Sequence, residues 1–234
     1  MELIDRIDEA RERWDVLKHP FYVRWERGDL TRDELAHYAG EYRHAVVALA
    51  RAAEAAGDAQ HAREEADHIG LWDDFAAALE APLEREPAPE TRSCADAWAR
   101  DDRLEALAVL YAIESAQPAI AETKLRGLVE HYGFAEGPAT EYFALHAKRD
   151  IEHAAEAREA LVEASPRDED DLVAAAEAAL RANWELLDGV DRRAQKRGAS
   201  SLSKPTTRMA SCSARTRKAR SPRPRSSMRR PSTA

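Results

Sequence analysis

From Thr140 to Ser165 the chain runs without a glycine or proline, and its apolar residues recur with a helical period. A polar-apolar stretch of that length buries its apolar side as an α-helix. Residues three and four apart then share a face. His146, Asp150 and His153 are therefore stacked over two turns. Two imidazoles and a carboxylate on one face can hold a transition metal. This constrains the rest of the chain, because other helices must pack on that face and supply the remaining ligands.

The remainder reads as helix too. Ala, Leu, Glu and Arg dominate, glycines number only 9, and β-branched runs are lacking, which is an all-α composition. Glu2 to Lys18 carries Leu3, Ile4, Ile7, Ala10, Trp14 and Leu17 at helical spacing. His19-Pro20 interrupts it, and a short aromatic helix or turn follows, ending at Gly28. Thr31-Arg32-Asp33-Glu34 is a capping box opening a long helix to about Ala56. Gly57-Asp58 separates it from a helix over 59–79. Further helices are expected over 91–100, 103–116, 119–132, 139–164 and 168–190. The spacing thus predicts a compact bundle of seven to eight helices spanning 1–190, with its ligands facing inward.

Charge divides the chain. Residues 191–234 carry 14 Lys and Arg against one acid, whereas 1–190 carry 21 against 43. The basic Arg/Ser/Pro-rich segment from Arg192 lacks periodicity and is expected to be a disordered tail. The acidic body is a poor binder of nucleic acid. Two cysteines, Cys94 and Cys212, make no disulfide framework. With no signal peptide and no apolar run of membrane length, a cytoplasmic protein is expected. Cys94 reads as an incidental small residue in a connector.

Three segments offer metal ligands. In Glu64-Glu65-Ala66-Asp67-His68, either Glu64 or Glu65 shares a face with His68. Glu-x-x-His on an inward face is the half-site of di-iron carboxylate bundles. Glu114 stands among apolar residues in Leu110 to Pro118 and needs a cation, a metal or a hydrogen-bond network if buried. The third segment is His146, Asp150 and His153. Each alone has a bland reading as solvated polar residues; together they give three histidines and three carboxylates. That set suits two first-row metal ions, with Glu114 or Asp150 able to bridge. Nitrogen and carboxylate ligands without thiolate favour iron or manganese over structural zinc.

His19-Pro20-Phe21-Tyr22-Val23-Arg24-Trp25, the Leu110–Pro118 segment followed by Lys124-Leu125-Arg126-Gly127-Leu128, and Tyr142 through His153 carry a resemblance. The chain resembles the haem-oxygenase-like di-metal oxidases, in the superfamily that also holds TenA and PqqC, nearest to the CADD-like para-aminobenzoate synthase group. The likeness covers most of 1–190. It implies that His68, Glu114, His146, Asp150 and His153 are metal ligands for two Fe ions, or Fe and Mn. It also implies O2 and an external reductant as co-reactants, and a homodimer. It makes Tyr22 the residue converted to 4-aminobenzoate, Lys124 its associated lysine, and Tyr38 and Tyr142 tyrosines on a radical path. One departure stands out. The group has a Glu seven residues before the His68 position, whereas this chain has His61. Glu65 then becomes the first carboxylate ligand, in the Glu-x-x-His arrangement of relatives that oxidise fatty acids and amino acids. An external small carboxylate or amino-acid substrate is the alternative. A TenA-like thiaminase would need a nucleophilic cysteine in the pocket. A haem oxygenase would need His19 as axial ligand and leaves the carboxylates unexplained. A non-enzymatic interaction protein would bury the same groups as a costly polar network.

Overall fold

A computed structural model describes residues 2–164 and 169–202. Its elements are nine helices among those residues: α1 (Leu3–Arg13), α2 (Pro20–Arg27), α3 (Arg32–Ala56), α4 (Ala59–Ala78), α5 (Pro89–Trp98), α6 (Arg103–Glu114), α7 (Gln117–Glu130), α8 (Pro138–Ala164) and α9 (Glu169–Leu202). The all-α expectation holds. Helices α3, α4, α6 and α8 pack on one another at the centre. α7 and α2 close one side; α5, α9 and α1 close the other. No helix among the described residues is long and apolar enough to cross a membrane.

Local chemistry sets the boundaries. Thr31 accepts from Glu34 N, and Glu34 accepts from Thr31 N at 2.7 Å, so the expected capping box opens α3. Such a cap contributes about 1 kcal/mol. Gly57, in the left-handed region at φ 91°, ends α3, and Asp58 caps α4 by accepting from Gln60 and His61 N. Pro20 begins α2, where its lack of an N–H costs nothing, and His19 Nδ1 accepts from Phe21 N at 3.0 Å.

Two expected boundaries move. α1 stops at Arg13 rather than Lys18. Asp15 accepts from Leu17 N and starts a separate 3-10 turn over Val16–Lys18, while the Trp14 indole bonds Glu177 on α9. At the other end, α9 runs past the compositional break at Arg192 to Leu202. Arg192 pairs with Glu90 at 2.5 Å and Arg193 with Glu41 at 3.4 Å. The first basic residues of the tail are thus tied to α5 and α3. The disorder expected over 203–234 lies outside the described residues. Cys94 sits within α5 and is fully buried; its placement in a connector is corrected.

Candidate metal centre

α4 and α8 pack face to face, and each offers ligands at positions i, i+4 and i+7. On α4 these are His61, Glu65 and His68; on α8 they are His146, Asp150 and His153. The helices run antiparallel. The His61 and His153 rings are 3.9 Å apart, and those of His68 and His146 are 4.5 Å apart. Glu114, the last residue of α6, enters between them, with its Oε1 2.9 Å from His61 Nε2. All seven side chains are buried.

Donor atoms of His61, Glu65, Glu114 and His153 all lie within 4.8 Å of one another, and so do those of Glu65, His68 and His146. Glu65 belongs to both groups. The first group alone holds Glu114, which the sequence offered as a bridge. It also brings in His61, which motif matching left as one of three options. Glu64 points elsewhere. Its carboxylate lies 3.0 Å from His153 Nε2 and accepts from Arg149 Nε at 2.7 Å and from Gln60 at 2.9 Å. Asp150 falls outside both groups, but its Oδ1 is 3.8 Å from His153 Nδ1.

Hydrogen bonding tests whether the site suits a metal. His61 Nε2, both Glu114 oxygens, His146 Nε2, both Asp150 oxygens and His153 Nδ1 are buried without a hydrogen-bond partner. The 2.9 Å approach of His61 to Glu114 is close enough for an ion pair but lacks hydrogen-bond direction. Two ligands in adjacent positions around one ion at roughly 2.1 Å come about that close together. Each unsatisfied buried polar group costs about 1–3 kcal/mol, so a cluster of them is explained by cations at its centre. The outward nitrogens, by contrast, are satisfied. His146 Nδ1 lies 2.6 Å from the Tyr142 carbonyl, and His153 Nε2 meets Glu64. These bonds orient both rings to present the opposite nitrogen inward. The residues fit two metal ions.

Without a cation the same burial penalises charge. It pushes the Glu114 carboxyl up to about 7, partly offset by the close approach of His61. It drives Asp150 well above the usual carboxylate range, with Glu114 and Glu65 adding to the rise. It lowers His146 to about 4. Burial also raises Glu65, but the His68 hydrogen bond and the neighbouring histidines outweigh it and hold this carboxyl low. Positive charge reverses these penalties for every carboxylate here.

A second cluster adjoins the first. Tyr22, Tyr38, Tyr42 and Tyr142 are buried, and so is Lys124 at 2% exposure; a snorkelling surface position for this lysine is excluded. Its Nζ lies 4.9 Å from the Tyr22 ring centre, 4.7 Å from Tyr42 and 5.4 Å from Tyr38. Burial lowers the Lys124 pKa to about 7. Among the described residues no carboxylate is within ion-pair distance of it. The Tyr22 and Tyr38 hydroxyls hydrogen-bond at 2.8 Å. Position is fixed by Trp25, which donates to the Lys124 carbonyl at 3.1 Å and ties α2 to α7. Gly127 permits that approach, since a Cβ there would come within 2.7 Å of the Trp25 ring.

Trp72, which the motifs do not single out, joins the two clusters. Its ring is 4.9 Å from Tyr142 and 5.2 Å from Tyr42, and Tyr142 stacks on His146 at 3.9 Å. Tyr38 lies 5.9 Å from Trp72. Oxidisable rings thus run from a candidate ligand to Tyr22.

Residues 16–184 match a family described as iron-containing redox enzymes with a haem-oxygenase-like domain. The chain belongs to this family. As an iron-containing redox enzyme it is an oxidoreductase, and its donor set agrees with the metal. It is similar to the 4-aminobenzoate synthase of Chlamydia muridarum, 34% identical over 74% of this chain and 83% of the relative. A 4-aminobenzoate synthase of Nitrosomonas europaea is 31% identical over 80% and 89%. Among solved structures, a haem-oxygenase-like domain of unknown function from Shewanella denitrificans has a TM-score of 0.68 at 22% identity, covering 90% of this chain and 99% of that one. A TenA homologue from Pseudomonas syringae has a TM-score of 0.67 at 20% identity, covering 81% and 91%. These two establish the shared fold.

Proposed function

We propose that this redox enzyme is an O2-dependent oxygenase with two iron ions, or iron and manganese, and that it forms 4-aminobenzoate from its own Tyr22. His61, Glu65, His68, Glu114, His146, Asp150 and His153 would hold the metal, which when bound supplies the activation of O2. Electrons come from an external reductant. The observation that carries the reading is the buried Lys124 amine over the Tyr22 ring, beside this donor set. 4-Aminobenzoate bears nitrogen where tyrosine bears its hydroxyl, and Lys124 is the amine in place.

The chain's own groups have definable tasks. Burial and the Trp25 anchor hold Tyr22 in one orientation and exclude water from its ring. With its pKa near 7, Lys124 is substantially a neutral amine, so its lone pair is available. Tyr38 can exchange a proton with the Tyr22 hydroxyl across their 2.8 Å hydrogen bond. Tyr142, Trp72 and Tyr38 provide a path for single electrons out of Tyr22. The names of the curated relatives support the same product.

The full chain, loaded with Fe(II) and given O2 and a reductant, tests this by product analysis and intact-mass spectrometry. At most one 4-aminobenzoate per chain should appear, with mass losses mapped to position 22, which gives up its ring, and to position 124, which gives up its nitrogen. Turnover beyond one per chain, or product from Tyr22→Phe, would sink the self-sacrificing reading. The alternative, oxidation of an external small carboxylate, has less support, because the cavity beside α7 that could admit one shares no residue with the candidate ligands.

A further inference from the structure

The cavity lies between the end of α1, the 3-10 turn, the α6–α7 junction and α9, and encloses about 270 Å³. It is distinct from the candidate metal centre, none of whose residues line it. That volume is just under the roughly 300–1,000 Å³ range of sites for drug-sized ligands, so a single-ring molecule suits it.

Its lining has two polar ends and an apolar middle. Arg11 pairs with Asp8 at 2.9 Å through NH2, but its Nε is buried without a partner. α7 begins beside it, and Gln117, itself buried, and Ala119 line the same space. Asn183, only 4% exposed, lines the cavity from α9, and its Oδ1 has no hydrogen-bond partner. Trp14, Ile113, Ile120 and Leu180 lie among the lining residues. At the mouth Lys18 pairs with Asp15 at 3.2 Å and Glu12 stands nearby. Acid and base offset each other there, so a multiply charged anion is not favoured. An unused donor on one side and an unused acceptor on the other call for a ligand with both functions.

We infer that this cavity binds a small single-ring amino-carboxylic acid, its carboxylate toward Arg11 and the start of α7 and its amino group toward Asn183. Behind Asn183 lies the lysine–tyrosine cluster: the Asn183 side chain neighbours Tyr42, whose ring is 4.7 Å from Lys124 Nζ. The cavity therefore adjoins the chamber in which Tyr22 sits. The binding site stands on its own lining; only its use as a port to the chamber rests on the proposed function. 4-Aminobenzoate, with its two functions at opposite ends of one ring, has this form; an α-amino acid such as tyrosine, whose ammonium and carboxylate share one carbon, does not.

Calorimetric titration of the full chain, iron-loaded and iron-free, with 4-aminobenzoate, L-tyrosine, benzoate and aniline separates the cases. 4-Aminobenzoate should bind one per chain with or without iron, at least 10-fold tighter than L-tyrosine, benzoate or aniline. Preference for L-tyrosine would overturn the placement of the two functions. Arg11→Met should weaken binding about 10-fold. Ala119→Trp, at an exposed lining position on α7 that leaves the core intact, should abolish it while melting temperature and iron content stay as in the parent. No saturable binding at millimolar ligand, or binding indifferent to both substitutions, would overturn the inference. Product persisting in Tyr22→Phe would defeat the self-sacrificing reading without altering these titrations.

Discussion

Replacing Lys124 with methionine isolates what it costs to hold an amine beside Tyr22. The side chain is buried, and desolvation lowers its pKa from 10.5 to about 7. In the unfolded chain the amine keeps its ordinary pKa, so between pH 7 and 10.5 the folded state binds fewer protons. Stability must then rise with pH across that window, by up to about 1.4 kcal/mol per pH unit. Below pH 7 the full penalty applies, roughly 4–5 kcal/mol for a shift of this size. Methionine has similar length and no charge, and repacking costs under about 1.5 kcal/mol. Lys124→Met should therefore be more stable than the parent at pH 7 by about 3 kcal/mol. That advantage should shrink steadily as pH approaches 10. Urea denaturation of metal-free parent and variant, at half-unit steps from pH 6.5 to 9.5, measures the difference directly. A difference that does not change with pH would refute the burial argument, and with it the neutral amine.

Two further outcomes follow from the metal ligands. Glu64→Gln removes the carboxylate partner of His153 Nε2 without touching a ligand; iron affinity, read by competition with a chelator, should fall ~10–100-fold while the melting temperature of the metal-free protein stays nearly constant. Because burial pushes Glu114 up to about 7, its proton must leave before the carboxylate can ligate, so iron affinity should drop as pH falls from 7 to 5.5, with proton release on loading visible in weakly buffered solution.

Much of the site is legible in the sequence because helices turn spacing into faces. His146, Asp150 and His153 share one without any tertiary information, and Glu114 is conspicuous among apolar neighbours. The choice among Glu64, Glu65 and His61 is harder. Both glutamates sit at helical spacing from His68, and only the packing of α8 against α4 sends Glu65 inward and Glu64 to Arg149. A signal for His61 was present, since His61-x-x-x-Glu65-x-x-His68 repeats the spacing of His146-x-x-x-Asp150-x-x-His153. The role of Trp72 is not legible, because it depends on rings from α3 and α8 meeting across the core. Nor is the length of α9, which rests on ion pairs from Arg192 and Arg193 to distant acids. The cavity beside α7 draws on three separated segments and has no local pattern.

The account turns on whether α4, α6 and α8 together hold two metal ions. Anaerobic loading of the full chain with Fe(II), followed by iron quantification and a crystal structure with anomalous scattering, measures this directly. Two irons per chain should appear, one near His61, Glu114 and His153 and the other near His68 and His146, with Glu65 between them. A chain that takes up no iron, or that carries its iron elsewhere, contradicts the account.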